Sequence, residues 1–199
     1  MIELPKDHSN PLVVGVGRHR ACYIHPEDAG KCIKVVHNPG EHAFQEIKRE
    51  LAYYKHLESY LKDWSGLPRF YGEVETNLGR GFVYDRIVDF DGRPSQSIEQ
   101  RYNQNNLNQL HEELSRLIDR LRRYLWDNRI VTMSIKPYNV LCHRISESEI
   151  ISVVCDNIGS ASFLPVEYYC PWLCHQKQKR LFSRFMQLPL LKQLREYKN

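Results

Sequence analysis

The sequence predicts an α+β fold with a sheet-rich N-terminal lobe and a small helical C-terminal lobe. Three observations lead there. Short apolar runs punctuated by glycine and turn residues crowd the first 88 positions. A long run over 107–127 repeats its apolar residues at spacings of three and four. Between them, 89–106 is rich in Asp, Gly, Ser, Gln and Asn, the composition of a joint. The expected domains are therefore 1–88 and 89–199. A chain of 199 residues suffices for one substantial core or two small lobes, not for two full-size domains.

Taken in order, Leu12 to Gly17 reads as a short strand ending in glycines. Cys22 to Ile24 and Lys31 to Val36 read as a hairpin turning through 25–30, and Asn38-Pro39-Gly40 breaks the chain. A helix follows over 41–62, with Phe44, Ile47, Leu51, Tyr54, Leu57 and Leu61 on its apolar face, and Gly66 and Pro68 stop it. Arg69 to Val74 and Gly81 to Val88 are strand-like, joined through Asn77-Leu78-Gly79. The long helix from Leu107 to Asp127 buries Leu107, Leu110, Leu114, Leu117, Ile118, Leu121 and Leu125, with Asn106 as its N-cap. A loop from Thr132 to Asn139 leads to a hairpin formed by Val140-Leu141-Cys142 and Ile150 to Cys155. A basic helical tail begins near Val166.

Composition excludes several classes. Hydrophobic residues make up 42% and charged residues 26%, which is ordinary for a folded domain. No run reaches the roughly 18 apolar residues of a spanning helix, and the first residues lack a signal-peptide core. A cytoplasmic protein is expected. The net charge of +4 is uneven: residues 160–199 hold +5 and the rest −1. This is a near-neutral body with a basic tail and carries no strong nucleic-acid signal. Cys170 and Cys174 stand beside His175, but two further ligands for a metal are not evident in the sequence.

Gly15-Val16-Gly17 after a strand lets backbone N–H groups approach a phosphate, although many plain turns look the same. No GK[ST] follows, so it is not a Walker loop. Lys34 lies inside an apolar strand, where it is costly to bury unless paired or turned outward. Glu50 lies about 50° from the centre of the helix's apolar stripe and is the better partner for it than Glu46. Lys136 and Asn139 precede a strand. A lysine there can stabilise charge on a transferred phosphoryl group, and an asparagine can bind a divalent cation. Asp156 at a strand end, with Gly159 after it, is a Mg²⁺ ligand or a turn former.

The order of these parts resembles the protein-kinase list: glycine loop, strand lysine, helix glutamate, long helix, K-P-x-N loop, hairpin and D-x-x-G. The whole chain resembles the YrbL family of PhoP regulatory network proteins, most distinctively in Tyr124 to Pro137 and in Cys155-Asp156-Asn157-Ile158-Gly159. The resemblance implies a minimal two-lobed kinase-like fold with a reduced C-terminal lobe. It implies ATP between the lobes, under Gly15 and Gly17, with Lys34 ordered by Glu50 on the α/β-phosphates. It implies Mg²⁺ on Asn139 and Asp156, a hinge at Val83 to Val88, and a setting in a two-component regulatory network.

The departures are equally specific. Thr132-Met133-Ser134-Ile135-Lys136-Pro137-Tyr138-Asn139 aligns with H-R-D-L-K-P-x-N, which puts Ser134 in the place of the catalytic aspartate. A hydroxyl cannot act as a carboxylate base, a loss that typically costs about 10²–10⁴ in rate. Only 40 residues follow Gly159, too few for the large helical lobe that holds peptide substrates. The expected function is a kinase-like ATP/Mg-binding phosphotransferase, slow or atypical, for a protein or small-molecule acceptor. The alternative is a pseudokinase that works as a nucleotide-dependent interaction module. The basic tail either docks on an acidic partner or an anionic membrane surface, or packs Leu181, Phe182, Phe185 and Leu188 on the body.

Overall fold

The computed structural model describes residues 1–17, 19–38, 41–103, 106–162 and 164–196. It is an α+β structure with two antiparallel sheets. The chain divides into two compact units, one of residues 1–48 and 68–87, the other of 49–67 and 88–199. Residues 49–67, which precede the boundary read from the sequence, belong with the second unit.

The first unit is a five-stranded antiparallel sheet in the order β1-β2-β3-β5-β4. Its strands are β1 (Val13–Val16), β2 (Arg20–His25), β3 (Asp28–Val36), β4 (Phe70–Thr76) and β5 (Gly79–Asp85). Alternation supplies its core: Ala21, Tyr23, Ile33, Val35 and Val83 face Leu4, with Ile2, Val13, Val74 and Leu78 packed around them. The β2–β3 hairpin is tighter than the sequence suggests, because Ile24 pairs with Cys32 and His25 with Asp28. The turn residues Asp28, Ala29 and Gly30 are thus absorbed into β3. Gly81 has a packing reason: a Cβ there would meet the Ile33 side chain at 2.5 Å.

Helix α1 (Glu41–Glu58) ends before the Leu61 expected within it, although Leu61 is still buried. Ile47, Tyr54 and Leu57 are buried as expected, whereas Phe44 is exposed. The chain break expected at Asn38-Pro39-Gly40 lies partly outside the described residues, at Pro39 and Gly40.

In the second unit, β6 (Gln96–Ser97), β7 (Val140–Arg144) and β8 (Ile150–Val154) form a small sheet. The stretch 89–106, read as a polar joint, contains β6 and the single-turn helix α2 (Ile98–Arg101). A capping box holds α2: the Gln100 backbone N–H donates to Ser97 Oγ, and the Ser97 N–H donates to Gln100 Oε1. Helix α3 (Leu107–Asp127) has the expected bounds. Its preceding Asn106 makes no capping bond to the helix. Its side chain instead accepts from the Asn103 N–H and donates to the Arg101 carbonyl. Leu114, Leu117, Ile118, Leu121 and Leu125 are buried, and Ser152 of β8 donates to the Leu117 carbonyl at 3.0 Å.

Two helices close the chain, α4 (Pro171–Phe185) and α5 (Pro189–Glu196). Phe182, Phe185, Leu191 and Leu194 are buried, while Leu181 and Leu188 are half-buried. Gln178, nearly fully buried, donates to the Leu125 and Ile130 carbonyls and so ties α4 to the end of α3. No helix among the described residues is long and apolar enough to cross a membrane.

Candidate functional site

The second unit brings Ser134, Lys136, Asn139 and Asp156 onto two adjoining segments. One is the loop before β7; the other follows β8. Strand register sets them side by side, since Val140 pairs with Val154. Immediately beyond that pair, the Cys155 N–H donates to the Asn139 carbonyl at 3.0 Å, and the Cys155 thiol contacts the same oxygen at 3.3 Å. Residues 137–139 form one 3-10 turn, closed by the Asn139 N–H on the Lys136 carbonyl. Pro137 opens this turn, where its fixed φ is already suitable and its missing N–H costs nothing.

Beyond Asp156, each of Asn157, Ile158 and Gly159 is laced to the loop. The Met133 N–H donates to the Asn157 carbonyl at 2.8 Å, Thr132 bridges Ile158, and the Gly159 N–H donates to the Val131 carbonyl. The Asn157 amide donates to Ser134 Oγ at 3.1 Å. Asn157 sits at φ 59°, a left-handed conformation that Asn tolerates better than most residues. Gly159 has φ 102°, and a Cβ there would lie 3.2 Å from Tyr53 and 3.1 Å from the Tyr168 hydroxyl. Glycine is required both by conformation and by space.

Polar satisfaction separates the four residues. Asn139 is only 7% exposed. Its backbone groups are bonded, yet its side-chain amide has no hydrogen-bond partner among the described residues. The amide is not among the fully buried side-chain groups that lack a partner, so it reaches solvent. Ser134 accepts from Asn157, and its own O–H has no acceptor among the described residues. Lys136 is exposed, with its ammonium 5.4 Å from the centre of the Tyr138 ring. Asp156 is half-buried at the end of β8.

The remaining candidates divide between the units. Gly15, Gly17 and Lys34 belong to the first. A Cβ on Gly15 would meet nothing within 4 Å and its φ is not left-handed, so neither packing nor conformation demands glycine there. The Gly17 N–H donates to the Arg20 carbonyl, and the Gly17 carbonyl accepts from His37 Nε2 at 2.9 Å. Lys34 is half-buried between Cys22 and Phe82 in the register, with its ammonium 4.6 Å from the Tyr84 ring centre. Glu50 belongs to the second unit and is 2% exposed, deeper than the rim position its helical angle suggested.

One cluster escaped sequence reasoning. Ser160, directly after Gly159, bonds Glu167 through its hydroxyl, and the Lys177 ammonium lies 2.6 Å from both Ser160 Oγ and Glu167 Oε1. Burial pushes the Glu167 carboxyl up, but Lys177 and Ser160 outweigh it and hold the group below its ordinary value. The Ser160 N–H donates to the Tyr168 hydroxyl at 2.7 Å, and burial pushes that phenol up to about 12. The cluster anchors the segment after Gly159 to α4. The available signal was Glu167 itself, the lone acid among residues 160–195. Lys177, counted with the basic outer face of the tail, points inward instead.

Fold and site together define an α+β protein whose second unit locks a K-P-x-N loop against a D-x-x-G turn. Residues 4–189 match the family of the PhoP regulatory network protein YrbL, and the chain belongs to that family. Its relatives include the YrbL proteins of Escherichia coli (strain K12) and Shigella flexneri. Each is 54% identical over 178 residues, covering 89% of this chain and 85% of the relative.

Proposed function

We propose that this chain is a kinase-like ATP- and Mg²⁺-binding protein of a PhoP regulatory network, with slow phosphoryl transfer as its activity. Asn139 is the observation that carries the reading: a nearly buried residue whose side-chain amide has no partner among the described residues, and whose carbonyl accepts from Cys155, the residue preceding Asp156. Two oxygen donors suit Mg²⁺, which is usually held by one or two protein groups, with waters and phosphate oxygens completing its shell. Among the described residues no group of three or more His, Cys, Asp or Glu offers a softer metal site.

The other roles follow the chemistry of each residue. Gly15 leaves space for a phosphate, with nothing within 4 Å of a Cβ there, whereas the Gly17 N–H would have to leave the Arg20 carbonyl to reach one. Lys34 is assigned the α/β-phosphates, and Lys136 the charge on the transferred group. Ser134 replaces a carboxylate base, which makes the reaction slow but not absent, because positioning and electrostatics carry most of phosphoryl transfer.

Single-turnover transfer from γ-labelled ATP tests this reading. The wild type transfers label and Lys34→Ala does not; equal transfer by both refutes it. Ser134 favours one alternative, a pseudokinase whose nucleotide-bound state is read by a partner. Mg-ATP binding with no turnover selects that alternative.

A further inference from the structure

A cavity of about 700 Å³ opens in the second unit between the loop of Ser134 and Lys136 and the last two helices. It is in the size range of small-molecule sites. Its walls are mainly apolar, with Leu181, Phe185 and Leu188 on the helical side. The polar lining includes Tyr102, Asn103, Tyr138 and Gln193, together with three further donors: the Ser134 hydroxyl, the Lys136 ammonium and the Arg184 guanidinium. None of these last three has an acceptor or ion-pair partner among the described residues. Glu99 is the one carboxylate in the lining, so cations outnumber anions. Donors without acceptors on an apolar wall match a ligand with an anionic oxygen head and an apolar body.

We propose that this cavity binds a small amphiphile with a carboxylate or phosphate-monoester head, and that this amphiphile is the phosphoryl acceptor. The binding stands on the cavity alone; the transfer rests on the nucleotide reading above. An anionic acceptor accounts for Ser134. A neutral hydroxyl nucleophile must lose a proton, which calls for a carboxylate base. A carboxylate or phosphate oxygen is already deprotonated at neutral pH. Its lone pair attacks the γ-phosphorus of the nucleoside triphosphate. The bond from that phosphorus to the β-bridging oxygen breaks, and its electron pair leaves with the nucleoside diphosphate. No proton moves, and the product is an acyl phosphate or a phosphoanhydride. Ser134, Lys136 and Arg184 hold the anionic head, where a carboxylate at position 134 would repel it.

Calorimetric titration with decanoate, decyl phosphate and decanol below their micelle concentrations tests the site, with Mg-ATP titrated in parallel. Either or both anions bind, the better one identifying the head group, and decanol binds at least tenfold more weakly. Arg184→Ala, an exposed position on α4, lowers the anion affinity about tenfold, the loss of one charge-assisted hydrogen bond. It leaves Mg-ATP affinity unchanged. Decanol binding equal to the anions, no anion binding, or an unchanged Arg184→Ala overturns the site. Anion and Mg-ATP binding without label reaching the amphiphile overturns its role as acceptor. Failure of Mg-ATP alone to bind refutes the nucleotide reading and the transfer with it, while the anion titrations still decide the site.

Discussion

Replacing Lys177 by Met should destabilise the second unit more than any other change of a charged side chain in the tail. The Lys177 and Glu167 side chains are 14% and 7% exposed, and their charged atoms are 2.6 Å apart. Removing the ammonium leaves a buried carboxylate whose donors among the described residues are the Ser160 and Ser162 hydroxyls and the Glu167 backbone N–H. Breaking a buried pair from one side costs about 3–5 kcal/mol. In a chain of this length each kcal/mol moves Tm by about 2–4 °C, so the loss is about 6–20 °C. Lys177→Met with Glu167→Gln should recover much of it, because no uncompensated charge remains. The pH dependence has a definite sign. Glu167 is depressed in the folded protein, so its stabilisation is present above the ordinary Glu value of 4.5 and lost as pH falls through the lower folded value. The gap in Tm between wild type and Lys177→Met is therefore widest at neutral pH and narrows in acid. Thermal denaturation followed by circular dichroism from pH 7 to pH 2 measures it. A loss under about 2 °C at pH 7, or a gap that widens in acid, refutes the reasoning.

Three further predictions concern local packing and capping. Gly66→Ala puts a Cβ 2.4 Å from the Tyr124 ring, whose hydroxyl is held by the Asp63 carbonyl, and should cost about 1–3 kcal/mol by urea titration. Ser97→Ala removes one half of the α2 capping box and should cost about 1 kcal/mol by the same titration. Thr132 is 1% exposed and its hydroxyl has no partner among the described residues, so Thr132→Val should be neutral or stabilising by up to about 1 kcal/mol in thermal denaturation.

The long helix was legible because its apolar residues keep one spacing for 21 positions, which no strand can mimic. The strands were legible as apolar runs, but their ends were not. Asp28, Ala29 and Gly30 read as turn residues, yet β3 begins at Asp28 because its partner His25 sets the register. Helix α2 was hidden by polar composition, although Ser97-Ile98-Glu99-Gln100 carries the capping-box spacing that marks a helix start. Phe44 was counted as core because periodicity cannot tell which turn of a helix meets a partner. The loop residues Ser134, Lys136, Asn139 and Asp156 were found by order along the chain. What sequence could not supply was the cross-linking of their two segments by Cys155, Asn157 and Gly159, since backbone hydrogen bonds leave no trace in residue identity. The inward Lys177 was missed for the opposite reason: a lysine among other basic residues reads as solvated until its carboxylate partner is placed.

The central claim is a Mg²⁺-dependent nucleotide site built on Asp156 and Asn139. Its most direct test is a calorimetric titration of ATP with and without Mg²⁺ into the wild type and Asp156→Ala. The account predicts tighter binding with Mg²⁺ in the wild type and loss of that metal-dependent gain in the variant. Equal affinity of both proteins for Mg-ATP, or no binding by the wild type, would contradict it.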